Sequence, residues 1–174
     1  MEFKHLMLET MGSQSYSAIV SIGAVEFDTL SGETGREFYR GVSLQSSLDL
    51  GLVINADTLI WWLRQNEDAR NKIIEGKDSI NQVLLDLAEF VNKDCEIWGN
   101  SARFDLGLLQ NAYNKANLPI PWDFRRERCV RTLVSLNPTI QKEFKYEGTA
   151  HDPISDCKNQ IAYCSATWNS LKNI

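Results

Sequence analysis

The sequence predicts an α/β domain, a mixed β-sheet flanked by helices. Three strand-like segments come first, at residues 5–8, 18–27 and 37–42. Stretches with helical spacing then alternate with one or two short strands. That order layers helices on a sheet, and the antiparallel start followed by strand–helix alternation makes the sheet mixed.

The first strand is the apolar run His5-Leu-Met-Leu8, closed by Glu9-Thr10 and broken by Met11-Gly12-Ser13. The second, Ala18-Ile-Val-Ser-Ile-Gly-Ala-Val-Glu-Phe27, is β-branched and apolar enough to be central. Turn chemistry at Asp28–Gly35 returns the chain into Glu37-Phe-Tyr-Arg-Gly-Val42 as a hairpin partner. Asp57 is the expected cap of a helix over 58–65. Asp78 or Ser79 starts a clearer helix, where Ile80, Val83, Leu84, Leu87, Phe90 and Val91 form one apolar stripe. Residues 95–98 read as a short strand. Gly99-Asn100-Ser101 opens a helix holding Phe104, Leu108, Leu109 and Tyr113, with Asn100 as its expected cap. Residues 127–133 suit a strand. Asp152-Pro153 is a cap with proline at the first helical position, ahead of a stripe of Cys157, Ile161, Cys164, Trp168 and Leu171.

Composition narrows the class. The chain has 174 residues, 43% hydrophobic and 24% charged, as a globular protein does and a disordered, collagen-like or coiled-coil chain does not. No linker, repeat or low-complexity stretch interrupts it, so one domain over 1–174 is expected. No run approaches the roughly 18 apolar residues of a membrane span. The first residues are too short and too charged for a signal peptide. Cys95, Cys129, Cys157 and Cys164 form no C-x-x-C pair, so the expectation is a cytoplasmic protein with reduced thiols. A net charge of −5 disfavours binding to nucleic acid through a bulk positive field.

Three carboxylates stand at ends of elements, where sheet-based sites form: Glu9, Asp105 and Asp156. The last lies five residues after His151, one of only two histidines. An acidic cluster drawn from distant segments is a hard-oxygen site suited to Mg²⁺ or Mn²⁺. Singly, Asp105 and Asp156 also suit the first turns of helices, where negative charge favours the dipole.

Together, Glu9-Thr10, Asn100-Ser-Ala-Arg-Phe-Asp105 and His151-Asp-Pro-Ile-Ser-Asp156 resemble the three motifs of the DEDDh 3′→5′ exonucleases. Leu8-Glu-Thr-Met-Gly12, Asp57-Thr-Leu-Ile-Trp-Trp62, Trp98–Asp105 and Arg131-Thr132 bring the chain nearest to the phage and bacterial exoribonuclease-like branch that includes phage exonuclease A. The resemblance implies a ribonuclease H-like fold and hydrolysis at single-stranded 3′ ends, RNA ahead of DNA, with two Mg²⁺ or Mn²⁺ per site. It implies Glu9, Asp105 and Asp156 as metal ligands and His151 as general base. Thr10, Met11 and Gly12 would hold the terminal nucleotide, and a homodimer is allowed. Trp62 and Phe104 are candidate stacking residues, although Trp61 and Trp62 lie about 100° apart on a helix and one of them must turn inward. Arg125, Arg126, Arg128 and Arg131 are the one dense basic stretch.

One departure stands out. The family's first motif is Asp-x-Glu-Thr, and its Asp is shared between the two metals. Here Met7 stands two residues before Glu9, on the same side of the strand. A thioether is a poor ligand for Mg²⁺. The segment reads as though an Asp-Leu pair were deleted, which keeps the strand's parity while removing the bridging carboxylate. Weakened turnover follows, and a catalytically weakened nucleic-acid-binding or interaction domain is the competing expectation.

Overall fold

The computed structural model describes residues 3–91, 93–148 and 151–172, except for the side chains of residues 6 and 7. Five strands form one sheet in the order β3-β2-β1-β4-β5: β1 (Phe3–Thr10), β2 (Ile19–Phe27), β3 (Thr34–Gly41), β4 (Glu96–Gly99) and β5 (Glu127–Cys129). β1 pairs antiparallel with β2, and β2 with β3, while β4 runs parallel to both β1 and β5. The mixed sheet expected from the sequence is present.

The pleat sorts side chains to two cores. Leu8, Ile22, Ala24 and Ile97 face one side, packed by α4 (Ile80–Phe90) through Ile80, Val83, Leu84 and Leu87, and by α5 (Gly107–Lys115) through Leu108, Leu109 and Tyr113. Val25, Phe27 and Trp98 face the other, covered by α6 (Val130–Val134) and α8 (Pro153–Lys172) through Val130, Cys157, Ile161 and Cys164. The α4 stripe is as expected, and Ser79 caps it. The α8 stripe fades: Trp168 is 37% exposed, outside the core that Cys157, Ile161 and Cys164 share.

Several boundaries move. Asn55, rather than Asp57, caps α2 (Ala56–Leu63), its Oδ1 accepting from Thr58 N at 3.0 Å, and Asp57 lies in the first turn. Ser101 instead of Asn100 caps the segment after β4, which begins as a wide π turn at Ala102–Leu106 before settling into α5. The strand expected over 127–133 stops at Cys129 and becomes α6. Three short helices were not expected: α1 (Leu44–Asp49), α3 (Glu67–Ile74) and α7 (Pro138–Glu143). No helix among the described residues is long and apolar enough to cross a membrane.

Two glycines set how closely the site can assemble. A β-carbon on Gly23 of β2 would lie 2.5 Å from Pro153 Cβ, so α8 reaches the sheet only because that position lacks a side chain. A β-carbon on Gly99 would meet Asp105 Cβ at 3.0 Å and Oδ2 at 3.2 Å.

Candidate active site

Glu9 lies near the C-terminal end of the central strand, paired with Ser21, just before the register slips at Thr10. Met7 pairs with Gly23. Burial, then repulsion from Asp156, Asp105 and Asp152, pushes the Glu9 carboxyl up to about 8, with Lys72 pulling the other way.

Asp105 is 2% exposed. The π turn returns its Oδ2 to the backbone N–H of Ser101 at 2.8 Å. Burial holds it near 6 even though that hydrogen bond and the Arg131 guanidinium favour its charge. Asp156, in the first turn of α8, is raised by burial despite accepting from Tyr146 Oη at 2.5 Å. Three carboxyls from β1, the π turn and α8 are thus held above their ordinary range by burial, with Glu9 placed within electrostatic reach of the other two.

His151 has left-handed backbone, φ 60°. Its imidazole stands edge-to-face with Trp61 at 5.0 Å and with Trp62 at 5.9 Å. Asp152 follows it and caps α8, Oδ2 accepting from Ser155 N at 3.0 Å and Ser155 Oγ at 2.8 Å. Its Oδ1 accepts from Lys72 Nζ at 2.6 Å. Burial works against its charge, but these bonds bring Asp152 below the ordinary range.

The expected nucleotide-holding residues are distributed unequally. Met11 is buried in the core; its N–H donates to Ala18 O at 2.8 Å and its carbonyl accepts from Asn55 N at 2.7 Å, so neither backbone group is left for a ligand. Thr10 is buried, donating from Oγ1 to Gly12 O at 2.7 Å. Trp62 is 4% exposed and spends its indole N–H on Thr10 O at 2.9 Å. The tryptophan that turns inward is therefore Trp62, and the solvent-facing indole is Trp61, 42% exposed. Phe104 is half-buried and, with Ser13, Gln14, Ser15, Ser101 and Arg103, lines a cleft of about 200 Å³ beside the Asp105 turn.

The basic stretch is largely spent on the sheet edge. Arg128 pairs with Glu96 at 2.5 Å, Arg126 donates to Asp94 O at 2.6 Å, and Arg125 lies over Phe124. Arg131 is the member that reaches the site, through its pull on Asp105. Lys72 and Tyr146 were missed by sequence reasoning. Neither falls in a recognisable pattern, and Lys72 meets Asp152 across 80 residues of chain.

A divalent cation fits this donor set in kind: its candidate ligands are hard carboxylate oxygens, each raised above its ordinary range chiefly by burial. In their resting positions, no three His, Cys, Asp or Glu side chains among the described residues converge tightly enough to enclose one ion.

A family model described as the 3′-5′ exoribonuclease Rv2179c-like domain matches residues 4–168. Among solved structures, the nuclease domain of 3′hExo, a DEDDh family member bound to rAMP, matches with TM-score 0.64 and 13% identity, over 97% of this chain and 92% of that one. The zinc-bound E. coli ExoI–ssDNA complex matches with TM-score 0.70 and 13% identity, over 98% and 42%. Exonuclease I from Methylocaldum szegediense gives 0.67 and 11%, over 98% and 41%. The chain thus spans about two-fifths of the exonuclease I chains and nearly all of the 3′hExo domain. No curated protein sequence matches it. The fold is the ribonuclease H-like fold of the DEDDh exonucleases.

Proposed function

The chain belongs to the Rv2179c-like 3′-5′ exoribonuclease domain family, and on that premise we propose that it removes nucleotides from single-stranded 3′ ends, RNA ahead of DNA, by metal-assisted phosphodiester hydrolysis. The observation that carries this reading is the gathering of Glu9, Asp105 and Asp156 from three separate segments, with His151 within electrostatic reach of Asp156.

Glu9, Asp105 and Asp156 would hold Mg²⁺ or Mn²⁺. A bound divalent cation supplies Lewis-acid stabilisation of the phosphoryl oxygens and lowers the pKa of an attacking water. His151 accepts the proton of that water; an imidazole suits this near neutral pH. Asp105 is buried and Glu9 half-buried, so both carboxyls sit at the edge of the core with limited freedom to move. The Ser101 N–H fixes the direction of Asp105 before substrate arrives. Arg131, exposed and close enough to bias Asp105, offers a cation to the phosphate backbone. Trp61, the solvent-facing indole, offers a stacking surface to a base, and the cleft beside Phe104 takes the terminal nucleoside.

Met7 sets the level of activity. Without a carboxylate two residues before Glu9, the donor set has one oxygen ligand fewer to hold a divalent cation, so turnover would be weakened. The same observation favours the second reading, a nucleic-acid-binding domain that retains the exonuclease fold. The test uses 5′-labelled RNA and DNA oligonucleotides of one sequence with Mg²⁺ or Mn²⁺. A ladder of shortened products that chelator abolishes, faster on RNA, and lost in Asp156→Ala and His151→Asn supports the proposal. Binding without shortening selects the second reading. Cleavage unaffected by Asp156→Ala overturns the site assignment.

A further inference from the structure

His151 occupies left-handed backbone, a conformation that a residue other than glycine keeps only where its surroundings hold it. Part of that support is local. Asn159 takes both backbone groups of Glu147: Glu147 N donates to Oδ1 at 2.8 Å, and Nδ2 donates to Glu147 O at 2.6 Å. Tyr146 donates to Asp156, and Asp152 caps α8 through Ser155.

The remainder comes from α2 and α3, far back in the sequence. Trp61 and Trp62 of α2 stand around the imidazole. Lys72, in the last turn of α3, holds the neighbouring residue through the 2.6 Å contact with Asp152 Oδ1. Ser155 already occupies the other Asp152 oxygen, so this carboxylate is a fixed joint between α3 and α8. In α3 itself, Ala69 is the one residue fully buried among the described ones. The Lys72 side chain is 35% exposed, and an ion pair that open to water adds little to folding stability. What it can do is fix the position of what it touches.

We propose that Lys72 is a positioning residue for His151: by tying Asp152 to α3, it seats the imidazole against Trp61 and Trp62 and near the Asp156 carboxylate. The inference deepens the proposed function and rests on its reading of His151 as the base. The Lys72 charge also acts on Glu9 and Asp156, so an arginine at position 72 retains both effects and a methionine loses both.

The experiment exploits the presence of only two histidines. Imidazole NMR spectra of the metal-free full chain give two sets of signals, assigned by His151→Asn. His5, buried and bonded to Gln160 at 2.8 Å, is the internal reference. The two indoles displace the His151 signals from free-histidine positions by their ring currents. In Lys72→Met that displacement falls by about half or more while His5 is unmoved, and Lys72→Arg keeps the wild-type spectrum. In the nuclease assay, Lys72→Met lowers kcat about tenfold with KM within about twofold, and Lys72→Arg recovers it. Unchanged His151 signals in Lys72→Met overturn the proposal. So does movement of both histidines that Lys72→Arg does not correct, since that marks a merely structural helix. If His151→Asn cleaves like wild type, the reading of His151 as base fails while the spectra still judge the tether. If His151→Asn is inactive and the Lys72→Met spectrum is unchanged, the tether alone fails.

Discussion

Gly23 of β2 lies directly beneath Pro153, so close that an added β-carbon would sit 2.5 Å from the proline Cβ and 3.0 Å from its carbonyl carbon. The neighbour is partly backbone, which cannot rotate away. Gly23→Ala therefore lifts the first turn of α8, and Asp152 and Asp156 with it. Overpacking of this kind costs about 1–3 kcal/mol. The expected result is a lower urea midpoint together with a loss of cleavage larger than the stability change explains. A variant with wild-type stability and activity would remove Gly23 from the account of the site.

The two tryptophans should separate by assay. Trp62→Phe leaves the Thr10 carbonyl without its indole donor and is expected to cost about 1–3 kcal/mol, the penalty of an unmet buried acceptor. Trp61→Phe changes stability by less than about 0.5 kcal/mol, as exposed substitutions do. Trp61→Ala weakens oligonucleotide binding, measured by fluorescence anisotropy, by about 1–3 kcal/mol per lost stack.

His5 gives the fold an acid limb. Burial, opposed by its bond to Gln160, depresses its pKa to about 4. Above about pH 6.5 both folded and unfolded chains hold it neutral, and its contribution is intact. As pH falls from 6.5 to 4, the unfolded chain takes a proton that the folded one refuses, and about 3 kcal/mol is lost. Urea unfolding of wild type and His5→Gln at about pH 7.5 and pH 4.5 should show their difference shrinking by about 2–3 kcal/mol at the lower pH. A pH-independent difference contradicts the burial argument.

Glu9 works in the opposite direction. Its folded carboxyl, raised to about 8 by burial and by neighbouring carboxylates, holds a proton that the unfolded chain loses near 4.5. Stability therefore declines as pH rises through that window. In chelator at about pH 8, Glu9→Gln should be more stable than wild type by up to about 4 kcal/mol, with no difference near pH 4.5. Mn²⁺ should narrow the gap at pH 8 by stabilising wild type alone. Calorimetric melts with and without the ion read both effects.

Met7→Asp places a carboxylate on the strand parity of Glu9 and restores the pattern of the family's first motif. Mn²⁺ affinity by titration calorimetry and the rate of oligonucleotide shortening should each rise by about tenfold or more, because an added carboxylate oxygen strengthens a site for a hard cation. Equal values in both chains would locate the control of activity elsewhere.

The parts of this structure legible in the sequence are those written in local pattern. Periodicity marks α4, a continuous apolar and β-branched run marks β2, and Asp152-Pro153 marks the start of α8. α3 escapes because its periodicity is weak: Asn66 caps it through a 2.9 Å bond to Ala69 N, and it packs through little more than Ala69 and Ile73. Likewise, Trp61 and Trp62 are indistinguishable until the Thr10 carbonyl is located. Glu9, Asp105, His151 and Asp156 could be named as candidates from the motifs they resemble. The Lys72–Asp152 contact joins residues whose separation in sequence carries no signal. From sequence alone the arginines at 125–128 suit a positive track for phosphates and a solvated strand edge equally well, and only the contacts of two of them with Glu96 and the Asp94 carbonyl favour the edge.

The pleat of β1 carries a consequence for how such a domain evolves. Leu8 points into one core while Glu9 belongs to the opposite face, and β1 keeps its pairing with both β2 and β4. A strand built this way can be shortened or lengthened by dipeptides at its site end without turning its inward residues outward. Loss of an Asp-Leu pair is therefore nearly silent to selection for folding while it removes chemistry. Regaining the pair is equally unobstructed. A carboxylate at this end of β1 can thus be subtracted or restored in a single in-frame step that leaves each core its own side chains.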